Sequence, residues 1–186
     1  VKATFGVNLY YMYYRDQLVP TGVKNQVGDD IMVNVDKSYR AGIELIWGVQ
    51  ILPTLKWDAN LTLRQNRIEN FIEYSKDYDE NWVEFDKVTE LGKTEISYSP
   101  EAVGSSILTW TPSEGFDVSF ISKYVGEQYF DNTSNTERKL DDYNVHNLRF
   151  NYRINPTWMK EIAFQLSINN VLDAKYENNA YGGNWY

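Results

Sequence analysis

The sequence predicts an all-β fold, an antiparallel up-and-down meander of about seven strands, on three observations. Several segments alternate apolar and polar residues with the period of two that an extended chain imposes. The connections between them alternate between long polar stretches and tight turns, so the long ones gather at one end of the sheet. Aromatic residues stand beside the tight turns, namely Trp57, Trp110, Phe116 and Trp158. This combination is typical of an outer-membrane barrel, which has short turns on one side and longer loops on the other.

Four of the predicted strands show the alternation most clearly. In the second strand, residues 38–51, apolar side chains occupy the odd positions: Ile43, Leu45, Trp47, Val49 and Ile51. The third strand, residues 57–64, also has them at odd positions, whereas the sixth and seventh strands, residues 148–154 and 162–169, have them at even positions. We expect these positions to share one lipid-facing side of the sheet, with Ile43 and Asp58 on opposite faces.

The remaining strands have weaker patterns. They are expected at residues 5–13, 97–110 and 116–129, and the second of these lacks a clean polar face. Tight turns are expected at residues 52–56, 111–115 and 155–160. Each of these turns contains a proline, which has no amide hydrogen to donate to a central strand pair.

Three long polar stretches are predicted to be loops at the opposite end, at residues 15–30, 69–94 and 130–142. Aromatic residues in these loops and in the tail could stack on a sugar, haem or catechol group. The candidates are Tyr78, Trp82, Tyr129, Phe130, Tyr181 and Trp185. The simpler interpretation, which we weight more heavily, is that they rest on the rim of the barrel as interfacial aromatics.

Charge and residue usage exclude several classes of function. The formal net charge is −8 over 186 residues, and no lysine or arginine cluster occurs, which argues against a nucleic-acid partner. The absence of cysteine excludes a disulfide scaffold, thiol chemistry and cysteine-ligated metal. His146 is the single histidine, and no carboxylate pair is singled out for glycoside hydrolysis. We therefore expect no enzyme activity and no cofactor.

The acidic stretch at residues 77–86 begins like a calcium-binding loop. Asp77 and Asp79 supply oxygen ligands at alternate positions. However, the loop pattern requires glycine at its sixth position and glutamate at its twelfth, where the chain has Trp82 and Val88. An acidic, solvated loop is the favoured interpretation, and a loosely held divalent ion is the alternative.

The segment at residues 162–176 carries a specific resemblance. An apolar-alternating strand ends at Asn169-Asn170, and Val-Leu-Asp and then Lys-Tyr follow it. This arrangement resembles the penultimate strand of TonB-dependent outer-membrane receptors. Further segments similar to that family are residues 13–22, 27–28, 38–45, 122–125, 128–129, 131–133 and 139–140. The resemblance covers nearly the whole chain.

The resemblance implies that residues 1–186 are the C-terminal part of the barrel of a nutrient importer in the outer membrane of a Gram-negative bacterium. In that family a 22-stranded barrel encloses an N-terminal plug, and energy reaches the plug through TonB. Nothing in the chain matches the plug, and the sequence stops at Tyr186 without another alternating strand. We therefore expect the plug and the final strand to be absent.

The implied partners are outer-membrane lipid, the TonB complex through the plug region, and a small-molecule or oligosaccharide ligand. Relatives carry iron–siderophore complexes, haem, cobalamin or oligosaccharides. The resemblance also places Arg64, Arg149 and Arg153 in the barrel interior, where we expect them to pair with Glu44, Asp58 or carboxylates of the plug.

A second class of protein fits the composition. The 15 Tyr, 6 Trp and 8 Phe residues suit two aromatic girdles, but they also suit a soluble β-sandwich that binds carbohydrate. This aromatic-rich carbohydrate-binding module is the alternative. It would be soluble as a monomer without detergent, and its apolar face would be buried.

Overall fold

The computed structural model describes residues 2–24 and 27–180. The strands are β1 (Ala3–Lys24), β2 (Asp30–Leu52), β3 (Leu55–Tyr78), β4 (Glu84–Glu95), β5 (Ala102–Ser113), β6 (Phe116–Val125), β7 (Gln128–Tyr129), β8 (Lys139–Leu140), β9 (Tyr143–Ile154) and β10 (Ile162–Ile168). A short 3₁₀ turn, Thr136–Arg138, precedes β8. Within the described ranges no helix has the length and apolar character needed to span a membrane.

The main sheet is antiparallel, and its strands follow one another in the order β1-β2-β3-β5-β6-β9-β10. β4 lies off this path and pairs with the far half of β3, while β7 and β8 form a separate two-stranded sheet. The all-β fold and the seven-stranded meander are confirmed, and β4 is an additional strand. β1 and β10 are the edges of the sheet, which does not close on itself within the described residues.

The main sheet has two parts, which we call the wall and the extension. The wall comprises residues 3–14, 38–52 and 55–65 of β1–β3, together with β5, β6, β9 and β10. The extension comprises residues 15–24, 30–37 and 66–78 of the same three strands, together with β4. A strand needs about 9–11 residues to cross a bilayer, so β1–β3, with 22–24 residues each, are roughly twice that length.

The cross-strand register collects the apolar residues of the wall on one face. Directly opposed residues of neighbouring strands project to the same side of a sheet. One row of opposed residues runs through Leu9, Ile43, Leu63 and Ala102, and another runs through Leu108, Phe120, Leu148 and Ile168. This outward face uses odd positions in β1–β3 and even positions from β5 onward, which confirms the shared face predicted for β2, β3, β9 and β10. Asp58 is opposite Gly48, on the other, inward face.

The outward face has no second layer behind it. Leu9 and Leu166, on the edge strands, are 74% and 59% exposed, and Leu63 on the central strand β3 is still 44% exposed. The second sheet in the described part of the chain has only two short strands, which cannot cover such a face. A soluble sandwich would bury these side chains, so the alternative class of protein is not favoured.

The tight turns lie where they are predicted. β2 and β3 are joined by Pro53 and Thr54, and β5 and β6 by Glu114 and Gly115. Gly115 has a φ of +78°, and a Cβ atom there would lie 2.5 Å from the Arg153 carbonyl oxygen. Only glycine therefore fits this turn without displacing the end of β9.

Two of the three predicted loops are wrong. Residues 15–24 continue β1 and pair with the start of β2, while residues 69–78 and 84–94 pair with each other in β3 and β4, so that both stretches belong to long hairpins. In β1 the reason is Asp16, whose φ of +53° changes which positions face inward. Gln17 lines the same groove as Tyr10 and Tyr14, although it differs from them in parity. This change interrupts the alternation of apolar and polar residues, which is why the sequence predicts a loop here.

Other boundaries also differ. The strand predicted at residues 97–110 begins only at Ala102, because residues 96–101 carry the chain from β4 to the wall. The strand predicted at 116–129 ends at Val125, and its last two residues belong to β7. The third predicted loop, residues 130–142, is irregular apart from β8 and the 3₁₀ turn.

The main hydrophobic cluster lies in the extension and its continuation. Its buried members are Val19, Val35, Ile68, Phe71 and Ile96, and the partly buried Val33 and Leu91 pack against them. Ile68 and Phe71 are at most 1% exposed. The extension therefore has an interior of its own, which the wall lacks.

Candidate functional site

The segment at residues 130–142 folds over the hydrophobic cluster. The Asn132 side chain is 2% exposed and makes two hydrogen bonds. Its Nδ2 donates to the Pro20 carbonyl oxygen over 2.9 Å, and its Oδ1 accepts from the Ser97 amide over 2.8 Å. The Glu95 amide also donates to the Ser134 Oγ atom over 2.7 Å. Asn132 thereby joins β1 to the connection between β4 and β5.

An arginine anchors the same segment to β3. Nη1 of Arg138 donates to Glu73 Oε1 and to Asp131 Oδ2, both over 2.9 Å. Burial alone would lower the pKa of Arg138, but the hydrogen bonds and negative charges of Asp131 and Glu73 outweigh burial and raise that pKa. The guanidinium therefore stays charged and holds the segment against the extension.

A groove of about 450 Å³ lies on the inward face, just below this segment. It is lined by Asn8, Tyr10, Met12, Tyr14, Gln17, Arg40, Glu44, Arg64 and Asn66. Tyr10 lies directly over Gly42, where a Cβ atom would come within 2.7 Å of its hydroxyl oxygen. The glycine thus lets the ring lie flat against the wall and keeps the groove open.

Three side chains of the groove have donors that no described residue accepts. Arg64 donates from Nε to the Pro100 carbonyl oxygen over 2.8 Å, which leaves its terminal nitrogens free of any carboxylate among the described side chains. Arg40 likewise makes no ion pair with the residues that the structure describes. Asn66 is 3% exposed, and its Nδ2 has no acceptor. The groove is therefore suited to a ligand that is rich in acceptors.

The arginine pairings predicted from the sequence are partly wrong. Glu44 accepts from Asn8 over 3.0 Å, and Asp58 pairs with Lys56 over 2.9 Å, so neither carboxylate is engaged by Arg64. Arg153 pairs with Asp117 over 3.3 Å. Asn8 is directly opposite Glu44 in the register, and Lys56 lies two residues from Asp58 on the same face of β3, so each carboxylate has a donor next to it.

The four aromatic candidates that the structure describes lie in two separate places. Tyr78 and Trp82 lie at the tip of the β3–β4 hairpin with ring centroids 6.3 Å apart, and Trp82 is 80% exposed. Tyr129 and Phe130 lie in the segment over the cluster, where the Phe130 amide donates to the carbonyl oxygen of Arg138. Tyr181 and Trp185 lie outside the described residues.

The distance between the two aromatic groups follows from the strand. Arg138 contacts Glu73, and Tyr78 is five residues farther along β3, so the tip projects roughly 17 Å beyond that contact.

Sequence reasoning missed the groove residues Tyr10, Tyr14, Arg40 and Asn66. Their signal is their even numbering in β1–β3, which is the inward parity of the wall.

The acidic stretch uses its carboxylates within the hairpin. Asp77 pairs with Lys87 over 2.9 Å, and this hydrogen bond holds the pKa of Asp77 below its usual value. Asp79 Oδ1 accepts from the amides of Asn81 and Val83, both over 2.8 Å. Across residues 2–24 and 27–180, no group of three or more His, Asp or Glu side chains is placed to hold a metal ion.

The polar sequence after β10 forms a closed turn. Asn170 has a φ of +52°, donates from Nδ2 to the Ala174 carbonyl over 3.0 Å and accepts the Ala174 amide over 2.9 Å. The Tyr176 ring then stacks on the Tyr143 ring, with the two ring centroids 4.4 Å apart.

His146 is a packed side chain, with Nδ1 2.9 Å from the Ser122 hydroxyl and its ring stacked on Phe120.

Comparison with known proteins identifies related sequences and folds. A family model described as TonB dependent receptor-like, beta-barrel, matches residues 2–171. The siderophore receptor PiuA from Acinetobacter baumannii aligns with 96% of this chain at 18% identity, with a TM-score of 0.66. The ferric yersiniabactin uptake receptor FyuA from Yersinia pestis aligns with 97% at 15% identity, with a TM-score of 0.61.

The ferric-catecholate import receptor Fiu from K12 E. coli aligns with 95% of the chain at 18% identity, with a TM-score of 0.60. At these identities the likeness concerns the fold. The chain spans 22–24% of the length of these three receptors. No curated protein matches the sequence.

Proposed function

Because the chain belongs to the TonB-dependent receptor-like β-barrel family, we propose that it is part of an outer-membrane importer whose cargo is a ferric siderophore. The family and the structural neighbours are transport receptors rather than enzymes. The observation that carries the proposal is the family match over residues 2–171. The remainder of the barrel, the plug and the contact with TonB belong to the whole receptor, since the chain covers less than a quarter of PiuA.

The orientation follows from the asymmetry of the strands. The extension stands on the cell surface of a Gram-negative bacterium, and the tight turns lie on the periplasmic side. The outward face of the wall contacts lipid, and the inward face borders the passage through the barrel. The cargo enters past the β3–β4 tip and reaches the groove beneath residues 130–142.

The chemistry of the groove favours one class of cargo. The structural neighbours include receptors named for siderophores, which supports iron chelates over haem, cobalamin or oligosaccharides. The free donors of Arg40, Arg64 and Asn66 suit an anionic, oxygen-rich chelate. The rings of Tyr10 and Tyr14 offer surfaces against which its planar groups can pack.

The test is uptake of radiolabelled iron by cells that express the full receptor. We expect uptake of a ferric siderophore that stops when the proton-motive force is collapsed or when TonB is deleted. Arg40→Gln combined with Arg64→Gln should weaken siderophore binding at least about tenfold, because hydrogen bonds to charged groups are lost. Arg149→Gln combined with Lys123→Gln is the matched control, since it removes two cations from the inward face of β9 and β6.

The outcomes separate the cargo from the transport mechanism. Uptake that persists without TonB would overturn the importer. TonB-dependent uptake of haem, cobalamin or an oligosaccharide, with no siderophore binding, would overturn the cargo only. Equal losses in the groove variant and in the control would remove the groove from the binding site.

A further inference from the structure

The outward face carries an aromatic cluster at the top of the wall. Tyr11 and Tyr39 stack with their ring centroids 6.0 Å apart, and Tyr13 is directly opposite Tyr39 in the register. Below them the face consists of apolar side chains such as Leu9 and Val7, which are 74% and 51% exposed. Tyrosines in this position mark the height at which a barrel passes from hydrocarbon into lipid headgroups.

Two cations lie over these rings, and a third is opposite one of them in the register. The guanidinium of Arg15 lies 5.9 Å from the Tyr13 ring centroid, and the ammonium of Lys93 lies 5.0 Å from the Tyr39 ring centroid. Lys37 is directly opposite Arg15 in the register and therefore projects from the same face. All three residues are exposed. Two strands and the β4 hairpin thus bring three positive charges to one edge of the apolar surface.

These charges are not neutralised by the protein. None of the three makes a salt bridge with any side chain in the part of the chain that the structure describes. The contrast is Arg67, opposite Tyr39, whose Nη2 pairs with Glu95 over 3.2 Å and with Glu101 over 2.6 Å. In a chain with a net charge of −8, three uncompensated cations in one place form a local basic patch that attracts anions.

The rings fix the position of the cations without consuming their hydrogen-bond donors. A contact between a cation and the face of an aromatic ring is electrostatic and leaves N–H groups directed away from the ring. The aliphatic stems of Arg15 and Lys93 can lie along the tyrosines while the charged ends remain in water. An anion at headgroup height can therefore accept hydrogen bonds from more than one of them.

We propose that Arg15, Lys37 and Lys93 bind a phosphate group of an outer-leaflet lipid whose acyl chains lie along the apolar face below Tyr11. A phosphate fits because it is anionic, has several acceptor oxygens and is attached to a hydrophobic anchor at the same height. The site is on the opposite face from the groove, so it is separate from the passage of the cargo. The inference rests on the outer-membrane placement proposed above.

The test is lipid binding by the purified full receptor in detergent, followed by native mass spectrometry during titration with diphosphoryl lipid A. The triple variant Arg15→Gln, Lys37→Gln and Lys93→Gln should bind on the order of 100-fold more weakly, because each cation near an anionic surface contributes to the attraction. The matched control removes three cations elsewhere, in Lys123→Gln, Arg149→Gln and Lys160→Gln, and should bind as the wild type does. Resistance to unfolding in detergent at moderate temperature shows that both variants are folded.

Two further arms identify the ligand. Lipid A without phosphates should bind the wild type as weakly as diphosphoryl lipid A binds the triple variant. Inorganic phosphate alone should not compete at millimolar concentration, because it lacks the acyl chains. Unchanged binding by the triple variant, equal loss in the control, or equal binding of the dephosphorylated lipid would each overturn the proposal. Iron uptake is measured separately, so failure of the importer and failure of the lipid site are distinguishable.

Discussion

The wall and the extension consist partly of the same strands, yet different interactions stabilise them. The wall pairs its backbone groups across the sheet and leaves its apolar side chains exposed, as Leu9 and Leu166 show. The extension buries Val19, Ile68 and Phe71 against one another beneath a folded segment. The difference is the one that the proposed outer-membrane placement predicts: hydrocarbon would surround the outward face of the wall, whereas water would surround the extension, which needs its own core.

The largest effect should come from emptying that core. We expect Phe71→Ala to cost about 3–5 kcal/mol in unfolding free energy of the extension, since it removes a fully buried ring and leaves a cavity. The loss should be equal in detergent and in lipid, measured by hydrogen exchange at β3 and β4. Tyr74→Ala, at an exposed position of β3, is the control. A loss that appeared only in lipid would contradict the separation of the two solvents.

A charge on the outward face of the wall tests the other solvent. Leu166→Arg or Ile43→Arg should cost roughly 2–4 kcal/mol, because the guanidinium would enter hydrocarbon. Gln165→Arg, on the adjacent inward position of β10, should cost little. The measurement is refolding of the full receptor into lipid vesicles. Equal losses at Leu166 and Gln165 would point to a face buried by protein instead.

The covering segment should contribute less than the ring beneath it. Asn132→Ala leaves the Ser97 amide and the Pro20 carbonyl without their partner, at a cost of about 1–3 kcal/mol. We expect this loss of stability to appear as faster hydrogen exchange of the Ser97 amide and as earlier proteolysis within residues 130–142. Asn135→Ala, in the same segment at an exposed position, should leave Ser97 protected.

The smallest effect belongs to the hairpin tip. The hydrogen bond from Lys87 lowers the pKa of Asp77 in the folded tip. The pair therefore stabilises the folded tip at pH values above the usual aspartate pKa. This stabilisation is lost as the pH falls through the lowered pKa of Asp77. Lys87→Ala should raise the pKa of Asp77 toward its usual value, as measured by NMR, without moving the unfolding midpoint. The Asp77 and Lys87 side chains are about half exposed, so their ion pair should contribute little to stability. A shifted unfolding midpoint would instead show that the tip unfolds together with the core.

The sequence was most informative where a strand has two distinct solvents on its faces. β10 spans Ile162–Ile168, as its alternation predicts, because even positions on its outward side are apolar and Gln165 and Ser167 on its inward side are polar. In the outer part of the β3–β4 hairpin, beyond Phe71, neither face is buried, so exposed positions such as Tyr74 and Lys76 carry no consistent pattern. The sequence therefore predicts a loop where the structure has a hairpin.

The candidate site was less predictable than the fold. Arg64 was identified as an inward-facing residue, but its contact is a backbone carbonyl, that of Pro100, rather than a carboxylate. Contacts of this kind depend on where the chain returns from β4, and the β4 hairpin itself was not recognised. In the sequence Asn132 is only part of a family-like motif, and one of its two bonds, to Pro20, joins residues 112 positions apart.

The backbone at Asp16 has a practical consequence for engineering. Its φ of +53° shifts the inward-facing positions of β1 from even to odd numbers. Side chains before and after residue 16 therefore alternate in opposite phase. A β-strand graft or a chimaeric exchange that joined two receptors on opposite sides of residue 16 would keep the backbone length but invert one set of side chains. Crossover points for such chimaeras therefore belong before Arg15 or after Gln17, and a library that randomises Asp16 should retain chiefly glycine, asparagine and aspartate.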